Sequence, residues 1–235
     1  MLVHGAIHAR EHVTSPVVVA MARAYLAAYL RGGLPPADFV PMVNPDGVEL
    51  CAHGLASAPM GAREQLLAIN GSGDFSLWKA NGEGVDPNVN FDAAWGTGKR
   101  NVFAPAPANY VGPYPLSAPE AQTLVRLTRR RRYRLTLSYH CKGEVIYYGF
   151  GEGERADHSQ GAARYLGKAL GYAVSKSVGS AGGYKDWYAI NYPRGYALTV
   201  EIGDDRLPHP FPYEALPALI DKHRAVMEIM AAYKE

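Results

Sequence analysis

Cysteine is almost missing from this chain of 235 residues: only Cys51 and Cys141 occur. Two cysteines make no disulfide framework, and both read as free thiols. Long apolar runs are also missing. No stretch approaches the roughly 20 uninterrupted apolar residues that a membrane-spanning helix needs. Charge of one sign is not in excess either. Lys and Arg total 24 against 22 Asp and Glu, a net charge of +2, so nothing global points to nucleic acid. The run Arg129–Arg132 is the one basic cluster. It reads as the solvated C-terminal end of a helix, where cations suit the dipole. Charged residues already occur at Arg10 and Glu11, which speaks against a signal peptide and gives, for the sequence as it stands, a cytoplasmic expectation. No internal repeat is visible. What remains is 48% hydrophobic and 20% charged residues, an ordinary globular balance at a length that suits one domain with a substantial core.

The pattern along the chain predicts alternating strands and helices. Leu2–Ile7 reads as a buried strand, and Thr14 or Ser15 caps a helix, with Pro16 in its first turn, that runs to about Arg31. Phe39–Val43 is the next strand. Residues 44–116 read as mostly irregular, with one short helix near 61–69, and loops of that length are commonly functional. Ser117-Ala-Pro-Glu120 reads as a capping box opening a helix to about Arg131. Strands follow at 134–139 and 144–150, then a helix at 156–171, a strand near 172–178, a helix at 184–191, a strand at 196–202 and a terminal helix from about Tyr213. This alternation predicts an α/β fold in one domain over 1–235: a mostly parallel mixed sheet with helices on both faces.

Three of the strand-like runs end in groups suited to metal chemistry. His8 and Glu11 close the first, His140 follows Leu135–Tyr139, and Glu201 follows Tyr196–Val200. Imidazole and carboxylate are ordinary zinc ligands, and a catalytic zinc keeps three protein ligands and an open position. His8 and Glu11 therefore call for a third ligand from elsewhere, and His140 is the candidate. A fourth-ligand role for Cys141 is the minority reading, because adjacent strand residues point to opposite faces. Ligands in parallel α/β sheets bind beyond the carboxyl ends of the strands, which is where these four residues fall. His4 and His12 lie nearby and are assigned supporting roles.

The constellation resembles the zinc carboxypeptidase family. H-x-x-E at 8–11, Asn44-Pro45-Asp46-Gly47, the string Gly84-Val-Asp-Pro-Asn-Val-Asn-Phe91, His140, Gly182-Gly183 with Asp186-Trp187, and Glu201 follow one another in that family's order. The resemblance covers about residues 2–205. It implies a zinc-carboxypeptidase-like fold, here short at the N-terminus, since only seven residues precede His8. It implies one Zn²⁺ on His8, Glu11 and His140, and Glu201 as the general base toward zinc-bound water. Lys79, after Trp78, stands nearest the family's oxyanion-stabilising arginine, and a lysine is a point charge rather than a fork. Arg10, inside H-x-x-E, is a candidate contact to substrate, as is Asn88.

The chain departs from the family where a terminal carboxylate is clamped. Val89 follows Asn88 in place of an arginine, which removes the bidentate fork, and Val178 falls near the position of the substrate-capping tyrosine. Trp78-Lys-Ala-Asn81, the string at 88–91 and His140-Cys-Lys-Gly-Glu-Val-Ile-Tyr147 look closest to the bacterial γ-D-glutamyl-diamino acid peptidases. Lys185, near the family's side-chain specificity position, and Lys142 then suit an anionic peptide such as a peptidoglycan stem fragment. The expected activity is zinc-dependent hydrolysis of a peptide or γ-glutamyl amide bond, with no nucleic acid and no membrane span among the partners. The alternatives are an aspartoacylase-like amidase or deacylase, and a non-catalytic binding relative.

Overall fold

Leu135–Cys141 is buried along its whole length. Leu135, Leu137, Tyr139 and Cys141 join one hydrophobic cluster, so alternation places Thr136, Ser138 and His140 on the opposite face. This strand, β3, lies inside a six-stranded sheet. In a computed structural model, which describes residues 1–151 and 158–234, the other strands are β1 (Leu2–His4), β2 (Asp38–Val40), β4 (Val145–Tyr148), β5 (Ala173–Lys176) and β6 (Tyr196–Ile202). Their order is β2-β1-β3-β6-β4-β5. All neighbours run parallel except β4 and β6, which are antiparallel. The sheet is thus mixed and mostly parallel, as the pattern predicts.

Helices cover both faces. On one side Val3, Leu137, Tyr139, Leu198 and Val200 pack against α1 (Thr14–Tyr29), α5 (Gln160–Leu170), α7 (Leu216–His223) and α8 (Val226–Ala231). On the other, Leu2 and Ala197 pack against α4 (Pro119–Arg131) and α6 (Tyr184–Asn191), through Leu124, Tyr184 and Trp187. A smaller cluster gathers Trp78, Phe75 and Ala9 with α2 (Pro45–His53) and α3 (Arg63–Asn70). Truncating a fully buried core leucine such as Leu137 or Leu198 removes about 2–5 kcal/mol.

Several expectations need correction. The first strand stops at His4, because Ala6 takes a positive φ of 49° and turns the chain. The segment 44–116 is less irregular than its composition implies, since Pro45–His53 is a helix. Pro45 suits a first helical position, and Asn44 caps it by accepting from Gly47 N at 3.0 Å. The capping box at Ser117 does not form. Ala118 is the N-cap and has no side-chain bond, while Ser117 Oγ accepts from Asn90 Nδ2 at 2.9 Å. Residues 156 and 157 of the helix expected at 156–171 lie outside the described residues, and the helix is seen from Gln160. The terminal helix is broken into a 3₁₀ turn at Tyr213–Ala215 and the helices α7 and α8. Among the described residues no helix is long and apolar enough to cross a membrane.

Candidate active site

The turn after β1 is built by side chains that bond to backbone. Thr14 Oγ1 accepts from Ala6 N at 2.7 Å and donates to Glu11 O at 2.8 Å. A Cβ on Gly5 would meet that oxygen at 2.9 Å, so glycine there allows the close approach. Ala9–Glu11 coils into a 3₁₀ turn, which brings Glu11 back toward His8. Asn44 braces the same turn, donating from Nδ2 to Ile7 O at 3.1 Å and to Ala80 O at 3.0 Å. Ala9 N and Arg10 N donate to Lys79 O and Trp78 O at 3.2 and 2.9 Å. Asn44-Pro-Asp-Gly47 and Trp78-Lys-Ala80 are therefore the scaffold of the His8–Glu11 turn.

His140 enters from the end of β3. Its Nδ1 lies 2.9 Å from Glu11 Oε2 and 3.1 Å from His8 Nδ1, and His8 Nδ1 lies 2.9 Å from Glu11 Oε1. All three residues are buried, at 6% exposure or less. Among the described residues this trio is the one group of three His, Cys, Asp or Glu donors that converges within 4.8 Å. Two imidazole nitrogens and a carboxylate meeting out of water is a donor set that suits zinc. Among the described residues His140 Nε2 is buried with no hydrogen-bond partner.

The electrostatics suit a cation. Burial alone would raise the Glu11 carboxyl, but His8 and His140 outweigh it and hold it well below the usual range. His8 is raised because Glu11 and Asp86 outweigh its burial, whereas burial lowers His140 in spite of Glu11. Asp86 stands behind His8, with Oδ1 3.3 Å from Nε2, and Oδ2 lies 3.3 Å from Lys79 Nζ. Burial would raise Asp86, but Lys79 and His8 keep it low. Asp86 is the main functional candidate that residue-by-residue reading misses. Its signal is its place in the Gly84–Phe91 string.

Glu201 is the register partner of His140 on the neighbouring strand. The two residues share the sheet face that carries Ser138 and Thr199. Burial, followed by the nearby Glu11 carboxylate, pushes Glu201 up to about 8. His8, Lys79, Asn88, His140, Lys185 and Glu201 all line one cleft of about 490 Å³. Asn88 Oδ1 also accepts from Tyr184 N at 3.2 Å, which ties the 86–90 loop to α6.

Other candidates fall elsewhere. Arg10 does not line this cleft, and its Nε is buried without a partner. Lys142 donates to Asp205 O and lies 3.6 Å from Asp205 Oδ1, outside the cleft lining. Lys185 does line the cleft, but its ammonium is taken up by Asp186 Oδ1 and Gly149 O. His4 lies beneath the trio, with Nε2 2.8 Å from Ser138 Oγ and its ring edge-on to Tyr184. His12 contacts Tyr213 OH at 2.8 Å.

Residues 1–218 match a family model described as zinc carboxypeptidase. The chain is 38% identical over 217 residues to γ-D-glutamyl-L-diamino acid endopeptidase 1 of Lysinibacillus sphaericus, covering 86% of this chain and 54% of that protein. Among solved structures it superposes on bovine thrombin-activatable fibrinolysis inhibitor with a TM-score of 0.76 at 20% identity, covering 99% of this chain and 81% of that one. Murein-tripeptide amidase from Escherichia coli O157 gives a TM-score of 0.60 at 24% identity, with 100% and 82% covered. The chain spans 54% and 59% of the lengths of the curated relatives it matches.

Proposed function

The chain belongs to the zinc carboxypeptidase family, and from that premise we propose that it hydrolyses an amide bond in an acidic peptide, with one zinc held by His8, Glu11 and His140. The substrate class we propose is a peptidoglycan stem peptide cut at a γ-D-glutamyl–diamino acid bond. The reading draws on the relative of that name and on a cleft with four Lys or Arg side chains on its wall. The observation that carries it is the convergence of three buried donor atoms beside a carboxylate in register with one of them.

Zinc, when bound, polarises a substrate carbonyl and makes water a stronger acid. The protein's part is orientation and proton movement. Asp86 stands at ion-pair distance behind the ring of His8, the place from which an outer carboxylate orients a ligating histidine. Burial and the Glu11 carboxylate raise the Glu201 carboxyl, and a cation nearby favours its ionised form. Glu201 Oε then takes a proton from the attacking water and returns it to the departing nitrogen. Lys79 presents its ammonium, anchored by Asp86, to the oxygen on which negative charge develops.

The test has two arms. Elemental analysis should find one zinc per chain, and His140→Ala should abolish stoichiometric binding. Turnover should then be compared on γ-D-Glu-diaminopimelate peptides and on peptides with ordinary hydrophobic C-termini. Full zinc retention in His140→Ala overturns the ligand assignment. Preference for the hydrophobic C-termini overturns the substrate class.

A further inference from the structure

The cations on the cleft wall are not equivalent. Lys79 is paired with Asp86, and Lys185 with Asp186. Lys99 and Arg100 also line the cleft, and both are exposed. Among the described residues neither has an ion-pair partner. Next to them, Asn101 lines the same cleft, and its Nδ2 is shielded from solvent with no acceptor. A buried amide donor left unpaired is costly, and it sits beside two unpaired cations.

These three residues are held by backbone. Lys99 N donates to Gly179 O at 3.2 Å and Asn101 N to Gly98 O at 3.0 Å. Val102 N donates to Asn109 O at 3.0 Å, which closes the base of the turn. The Lys99 stem lies where a Cβ on Gly179 would meet its Cδ at 3.1 Å, and Gly179 has a φ of +76°. A glycine at 179 therefore suits both the turn and the packed stem. The result is a fixed turn with two charged side chains on the cleft wall and a solvent-shielded amide beside them.

We infer that the turn Lys99-Arg100-Asn101 reads a carboxylate of the substrate, and that it does so in place of Lys185. The inference rests on the hydrolase reading above and deepens it by naming the residues that select an acidic peptide. An arginine can offer a carboxylate two parallel donors, with lysine and amide adding single bonds. The carboxylate has two possible sources, the terminal carboxyl of the peptide or an acidic side chain, and amidating each in turn separates them.

The experiment compares wild type with the Lys99→Ala/Arg100→Ala double variant. Three peptides are used: one with both carboxylates free, one amidated at the C-terminus and one amidated at the side chain. An exposed charge contact is worth roughly 1.5- to 5-fold in affinity, so the double variant should lose about tenfold in kcat/KM, mostly through KM. That loss should appear on the free peptide and vanish on whichever amide removes the recognised group. Asn101→Ala should lower the same discrimination, and Lys99→Arg/Arg100→Lys should retain most of it. Affinity for each peptide is measured by calorimetry in parallel. If wild type cleaves none of them, the hydrolase reading fails, while the carboxylate-against-amide difference in binding still decides this one. Equal handling of all three peptides by wild type overturns the inference. So does discrimination that survives unchanged in the double variant.

Discussion

Glu201 lies directly across from His140 in the parallel register of β3 and β6. That pairing is set by the backbone bonds between the two strands, so the two residues stay opposed on one face of the sheet. Glu201→Gln keeps the shape and removes the proton acceptor. The variant should bind zinc as wild type does, and its turnover should fall by roughly 10²- to 10⁴-fold. Metal content and single-turnover rate, measured on the same preparation, check this. A variant that cleaves at close to the wild-type rate would place the base elsewhere.

Asp86 touches His8 Nε2 and Lys79 Nζ at the same distance of 3.3 Å. It also accepts from Asn88 N and Asn109 N at 3.0 and 3.2 Å. Asp86→Asn should keep one of those two loop bonds, because its single carbonyl oxygen can stand in for only one of the carboxylate oxygens, while removing the charge behind His8. Zinc affinity should weaken by roughly 10- to 100-fold, read by competition with a chelator of known affinity. Unchanged affinity would reduce Asp86 to an anchor for its loops.

The strand ends bearing His140 and Glu201 were legible because apolar runs stopping at polar residues are local in sequence. The end of the first strand was misplaced, because it stops at His4 and His8 sits in the turn beyond it. The helix at Pro45–His53 was missed. Its segment reads as irregular from its Gly, Asn, Pro and Ala content, although Asn44 as cap and Pro45 at the first helical position are local signals. The capping box at Ser117 failed for a tertiary reason, because Asn90, 27 residues earlier, claims the hydroxyl. Lys185 illustrates a third kind of gap. Its place in the cleft was foreseen, but the pairing that neutralises it depends on burial, which composition does not reveal.

That pairing has a consequence for stability. Lys185 and Asp186 have side chains only 6% and 3% exposed, and burial raises the Asp186 carboxyl even with Lys185 beside it. Lys185→Met leaves Asp186 without its cation. Breaking one partner of a buried pair costs roughly 3–5 kcal/mol, and protonation of Asp186 trims that figure at low pH. The melting temperature should fall, and Lys185→Met/Asp186→Asn should recover much of the loss. A lysine that instead reads substrate would raise KM in Lys185→Met and leave the melting temperature alone.

His223, which contacts Tyr139 on the sheet face opposite His140, supplies an acid-stability prediction. It is fully buried, with Nε2 2.9 Å from Tyr172 OH and Nδ1 3.2 Å from Tyr139 OH. Burial, assisted by Lys222, pushes it from 6.5 down to about 3. In the unfolded chain it takes a proton near pH 6.5, and in the folded chain only near pH 3. Between those values the unfolded state binds more protons, so stability falls as pH falls through this window. The depression corresponds to at most about 4–5 kcal/mol by pH 3. His4, likewise pushed down to about 3 by burial, acts in the same direction. His223→Gln keeps a donor and an acceptor between the two tyrosines and cannot titrate. Its melting temperature should therefore decline less steeply than wild type between pH 6.5 and pH 4, with part of the slope left because His4 remains. Parallel pH profiles for the two proteins would show that His223 is charged in the folded state, and would reverse the assignment of a neutral buried ring.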